Sequence, residues 1–163
     1  MTSWLKFCFL LISFQVPSFA LVEISKVFPA GAQKGTQVQV ILEGKNFAHA
    51  KKLLFYKAGL TFEKMELEKN KLKLSLKVSA TAETGLHPFR IIGEDGLSNL
   101  RYIHIAPFPE YMKASNIFSF EKAQEVKIPC SINGQLNGRQ IDFYRFTLEK
   151  GQKISASLTC MDL

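Results

Sequence analysis

The sequence predicts an all-β protein whose larger, first part is an immunoglobulin-like β-sandwich, and three observations carry that expectation. Short apolar runs alternate with polar residues at a period of two, Gly and Pro residues interrupt them at short intervals, and no stretch from Leu21 to about Ala106 holds a convincing 3.6-residue apolar period. Around seven strands at this spacing fit one sandwich. A helical reading would place too many Gly and β-branched residues inside helices.

The chain opens on a segment of another kind. Lys6 precedes the apolar run Phe7 to Phe14, followed by Gln15, Pro17 and the small-residue pattern Ser18-Phe19-Ala20. This reads as a secretory signal peptide over 1–20, cleaved after Ala20. The run falls well short of the roughly 20 apolar residues a membrane span needs, so a retained anchor is the weaker reading. No later segment is apolar enough to span, which predicts a mature chain without a transmembrane span.

The strands follow in order from Leu21 to about Ala106. Ile24, Val27 and Phe28 form the first, ended by Pro29 and Gly31. Val38, Val40 and Leu42 alternate through the second as far as Gly44. Leu53 to Tyr56 gives a third that meets Gly59, and Phe62, Met65 and Leu67 a weaker fourth. Leu72, Leu74, Leu76 and Val78 make the strongest run, with Lys71, Lys73, Ser75 and Lys77 on its other face. Leu86, Phe89, Ile91 and Ile92 lead into the turn "GEDG", and Leu100, Tyr102, Ile103 and Ile105 complete the set. Pro107, Phe108 and Pro109 then break the pattern, and 107–122 reads as a linker.

Composition bounds the class. A length of 163 residues holds one medium domain or two small ones, and 47% hydrophobic with 21% charged residues describes a folded chain rather than a disordered one. Lys and Arg number 21 against 14 Asp and Glu, a net charge of +7, and loss of Lys6 with the signal leaves the balance basic. The lysine face of "KLKLSLKV" is read first as a solvated strand face that discourages edge pairing. The alternative is an anion-binding stripe for acidic polysaccharide, lipid headgroups or nucleic acid.

"ISKVFPAGAQKGTQVQVILEGKNFAHAKKLLFY" resembles the opening of an IPT/TIG domain, the immunoglobulin-like fold of plexins and some transcription factors. Pro29, Gly31, Gly35, Gly44, Asn46 and Phe47 occupy that family's motif positions. Gly44 and Asn46 are residue types that tolerate positive φ, and Phe47 supplies an apolar plug for the sandwich end. "TGLHPFRIIGEDGLSNLRYIHI" resembles the same family's final hairpin. The resemblance implies an IPT/TIG-like domain over 21–106.

"AQEVKIPCSINGQLNGRQIDFYRFTLEKGQKISASL" resembles the start of a bacterial pre-peptidase C-terminal (PPC) domain. Ala123, Gln124, Pro129, Asn133, Gly134, Asp142, Tyr144, Phe146, Lys150, Gly151 and Gln152 fit its pattern, while the upstream linker matches only at Asn116. The resemblance implies a second, jelly-roll-like β-sandwich over 123–163, incomplete here; within it Tyr144, Phe146, Leu148 and then, after a Lys-Gly turn, Ile154, Ala156, Leu158 alternate as the arms of a β-hairpin. The order of modules looks like that of large exported proteins of planctomycete-type bacteria. About 40 residues with three strands are seldom stable alone, so the expectation is the N-terminal piece of a longer protein or a truncated reading frame. The competing idea docks those strands on the first domain.

Cys8 leaves with the signal, so Cys130 and Cys160 are the mature cysteines. In an oxidising compartment they can pair, worth about 3 to 4 kcal/mol, or stay as two thiols, and spacing does not choose. No C-x-x-C or Cys/His cluster suggests zinc. Catalytic signatures such as G-x-S-x-G, H-E-x-x-H and the Gly-rich phosphate loops are missing. His49, His87 and His104 stand apart in sequence and read as structural or solvent-facing. Glu94 and Asp95 make a turn rather than a calcium site, and Asp142 reads as a turn anchor accepting backbone N–H groups. No catalytic, metal or cofactor residue is expected. The sequence thus predicts an exported, non-catalytic module for binding or spacing, with a glycan or protein ligand, at a cell surface or in a periplasm. The alternative is the accessory front end of an exported hydrolase or peptidase. Nucleic-acid binding, suggested by the charge and by one branch of the resembled family, is opposed by export.

Overall fold

Period-two alternation becomes two four-stranded sheets laid face to face. The computed structural model describes residues 21–136 and 138–160; the expected signal segment and its cleavage after Ala20 lie outside them. Eight strands build the sandwich: β1 (Glu23–Phe28), β2 (Gly31–Gln33), β3 (Gln37–Lys45), β4 (Ala50–Phe55), β5 (Leu60–Glu68), β6 (Lys71–Val78), β7 (Gly85–Gly93) and β8 (Arg101–Ala106). One sheet runs β1-β3-β6-β5, antiparallel throughout; the other runs β2-β8-β7-β4, antiparallel except where β2 lies parallel to β8. With β2 set aside, the first, second, fifth and fourth strands share one sheet and the seventh, sixth and third the other, the immunoglobulin-like order. The chain changes sheets at Pro29, which follows a cis peptide bond.

The inward residues form one core. Ile24, Val40, Leu42, Leu72, Leu74, Leu76 and Val78 from the first sheet meet Leu53, Phe89, Ile91, Ile103 and Ile105 from the second, and Phe47 closes one end. Each such side chain contributes about 1.5–3 kcal/mol relative to its exposed state, which is why alternation here decides the sheet faces.

Both sheets have two outer strands, and three of the four carry a bulge. Ser25 on β1, Lys51 on β4 and Glu63 on β5 are each skipped in the register with the inner neighbour. A bulge twists an edge and spoils it as a template for another strand. Beside the β1 bulge, the Asn99 amide engages both backbone groups of Ile24: its Oδ1 accepts from Ile24 N and its Nδ2 donates to Ile24 O, both at 2.8 Å.

Beyond the sandwich come four short strands in two parallel pairs. β9 (Glu110–Met112) pairs with β11 (Ser131–Asn133), and β10 (Gln124–Glu125) with β12 (Tyr144–Arg145). β9 and a 3-10 turn at Phe120–Lys122 thus fall within 107–122, the stretch read from sequence as a linker. The arrangement is all-β but partial. The expected hairpin of 144–158 is corrected: its Lys150-Gly151 turn forms, closed by Gln152 N donating to Glu149 O at 3.1 Å, yet only Tyr144–Arg145 is strand and residues 146–160 pair with nothing in a ladder. Two lone strands bury too little to hold each other, and Phe146, Leu148, Ile154 and Leu158 are exposed.

Candidate functional site

The lysine face of β6 is largely neutralised by its neighbours. Lys71 Nζ reaches Glu43 on β3 and Lys73 Nζ reaches Glu68 on β5, both at 2.7 Å, and Lys64 pairs with Glu66 at 2.5 Å. Lys77 alone of the β6 lysines has no carboxylate partner among the described residues. The Lys71 and Lys64 ammonium groups hold Glu43 and Glu66 below the ordinary carboxylate range by hydrogen bond and charge. Exposed pairs of this kind stabilise little, but they leave few free cations for the anion-stripe reading.

At one end of the sandwich the motif residues Gly44, Asn46 and Phe47 line an open cleft of about 300 Å³ with Lys45, Leu67, Lys69 and Asn70. Gly44 is required by close approach, since a Cβ there would run into the Glu23 carbonyl of β1; it does not take positive φ, which corrects the reason anticipated from sequence. Asn46 does, at φ 62°, and its Nδ2 donates to Leu21 O at 2.8 Å, so its amide is already engaged. Phe47 is buried.

The three histidines have separate structural settings. His49 Nδ1 lies 2.9 Å from Glu94 Oε2, with Lys51 at 3.4 Å from the other oxygen. These two contacts, His49 first, lower the Glu94 pKa. His87 is buried on the inward face of β7; its Nε2 donates to Glu83 O at 2.9 Å, while Nδ1 has no partner among the described residues. His104 lies in register with Gly31. Among the described residues no three His, Cys, Asp or Glu side chains converge as metal ligands.

The most unusual chemistry lies where the later strands meet the outer face of β2. Lys113 N donates to Asn133 O at 2.8 Å and Ser131 N to Pro109 O at 2.9 Å, locking β9 beside β11. Glu110 Oε2 accepts from Asn133 Nδ2 at 2.7 Å, and the same nitrogen reaches Gly31 O at 3.5 Å. A Cβ on Gly31 would sit 2.9 Å from both Glu110 Oε1 and Asn133 Oδ1, so glycine lets the two side chains lie this close to β2. Burial pushes the Glu110 carboxyl up to about 7, outweighing the Asn133 hydrogen bond.

A second polar knot holds the later strands together. Lys113 Nζ contacts Asp142 Oδ2 at 2.8 Å and Gln135 O at 2.9 Å and lies 5.7 Å from the Phe118 ring centre. Both partners are nearly buried, at 13% and 9% side-chain exposure. Asp142 therefore binds an ammonium group, where the sequence suggests backbone N–H groups; its other oxygen is buried without a partner among the described residues. Burial and then the Asp142 charge raise the Tyr144 pKa. Gln124 acts as a strand substitute, accepting from Ala114 N at 2.8 Å and donating to Met112 O at 3.0 Å. Gly134 packs on the Lys113 stem, and Gly151 takes φ 91° in its turn. Cys130 and Cys160 are free thiols, the first half-buried with its pKa raised by burial. Sequence reasoning singled out neither Glu110 nor Lys113, because an isolated charged residue carries no sign of what will cover it.

No helix among the described residues is long and apolar enough to cross a membrane. No family model matches the chain, and no curated protein matches it. Among solved structures it is similar to SGBP-B of the Bacteroides ovatus mixed-linkage glucan utilization locus, determined in complex with a mixed-linkage heptasaccharide, at 12% identity and a TM-score of 0.41. That match covers 64% of this chain and 25% of the other, so this chain spans about a quarter of its length.

Proposed function

We infer that this chain is an exported, non-catalytic β-sandwich module that binds a glycan or protein ligand, or spaces other modules, at a cell surface or in a periplasm. The observation that carries the reading is the uneven distribution of exposed apolar side chains. Among the described residues, five lie in 21–106, whereas 107–160 present twelve, including Phe120 at 74%, Ile141 at 68% and Leu136 at 61% exposure. Exposed apolar side chains gathered in one region favour contact with another molecule, and the Glu110–Asn133–Gly31 knot ties that region to the sandwich. The module assignments belong to the same proposal: 21–106 as an IPT/TIG-like domain, supported by the steric need at Gly44 and the left-handed Asn46, and 123–163 as the start of a PPC-like domain.

The test is retention of the chain without residues 1–20 on insoluble glycans and on immobilised envelope proteins, compared with a Phe120→Ser/Ile141→Ser variant. Retention on one ligand class, lowered by the double substitution with the sandwich still folded, is the expected result. Hydrolase turnover by the chain itself would overturn the reading, and failure of retention on every surface would leave spacing alone.

A further inference from the structure

We propose that Glu110 is a protonation latch, closing the later strands onto β2 when its carboxyl is neutral and loosening them when it ionises. Three observations place the latch. The carboxyl sits where β9, β11 and β2 meet, one oxygen against Gly31 and the other on Asn133 Nδ2 at 2.7 Å. No cation forms an ion pair with it among the described residues, and a covered carboxylate without one is disfavoured relative to its neutral form. Glu110 Oε1 and Asn133 Oδ1, moreover, both crowd the space a Gly31 Cβ would fill, and the neutral acid brings an O–H donor into that space.

The elements packed around it supply no compensating charge. β2 brings Gly31, Ala32 and Gln33, and β11 brings Ser131, Ile132 and Asn133. The titratable groups nearest along these elements are His104, in register with Gly31 on β8, Lys34 just past β2, Tyr111, whose hydroxyl accepts from Lys127 N, and Lys113, engaged by Asp142. The sign follows from the upward shift. The docked form binds the proton more tightly than a free carboxyl does, so its advantage is complete below the ordinary carboxylate pKa and is lost as pH rises through about 7.

Hydrogen exchange of the full chain at pH 5.5 and 8.5, corrected for intrinsic rates, tests the latch. The amides of Lys113 and Ser131 should lose protection at least tenfold at the higher pH, the equivalent of about one pKa unit of coupling, while those of β3 and β6 serve as an internal control. Glu110→Gln keeps the shape and should keep those amides protected at both values. An equal loss in the variant, or no loss in either protein, overturns the proposal. Should the variant not fold, the carbon-13 shift of the Glu110 carboxyl in the unsubstituted chain decides: a midpoint near 7 supports the latch, and a midpoint at the usual carboxylate value rejects it.

Discussion

Leu74 and Leu158 both stand in alternating apolar stretches, and their fates differ completely. Leu74, on an inner strand with neighbours on both sides, is 1% exposed; Leu158, in a segment with no ladder, is 85% exposed. The same contrast holds for the regions they belong to. Residues 22–106 are held by a shared apolar core, while 107–160 bury only Ile117 and Val126 among their apolar side chains and depend on charged and amide contacts. Alternation tells a strand which face to bury; it does not supply the opposite layer.

The sharpest way to break this comparison is to attack the second region at its knot. Lys113→Met should cost about 3–5 kcal/mol of that region's local stability by stranding the Asp142 carboxylate, read by urea-dependent hydrogen exchange at β9 and β11, and Lys113→Met/Asp142→Leu should recover most of it. Equal losses in the single and double variants would show that the ion pair is not what holds these strands. Leu74→Ala should cost about 2–5 kcal/mol in the sandwich, measured as a lowered urea midpoint, because the core cannot close around the void. Next comes Gly44→Ala, with a loss of about 1–3 kcal/mol as β1 is displaced from β3. Leu158→Ala should change unfolding by no more than about 0.5 kcal/mol. A larger loss there would mean that 146–160 has a partner layer.

Much of the sandwich could be read in advance because burial selects on a period of two, and the places where the period failed are informative. The weak fourth run, Phe62, Met65, Leu67, has a step of three where Glu63 bulges out of β5, and Ile24 to Val27 has the same step at Ser25. The apolar phase slips there because the bulge inserts one residue. β2, by contrast, left no trace, since three residues pairing in parallel with β8 show no alternation to detect. β9 and β11 escaped notice for the same reason. At the junction, the residue type of Gly31 is visible in the sequence but its use is not, since that depends on Glu110 and Asn133 arriving from far along the chain. The sequence marks Asp142 as an anchored acid, yet its partner, Lys113, lies in the segment that reads as a linker. Such pairings are set by tertiary approach, and local sequence does not encode it.

The extra residues Ser25, Lys51 and Glu63 matter most when many copies crowd together. A neighbour laid alongside any of these strands would fall out of step with the amides after a few rungs, and a growing stack would stall at its first addition. The molecule is built not to zip up with itself along those sides of the sandwich.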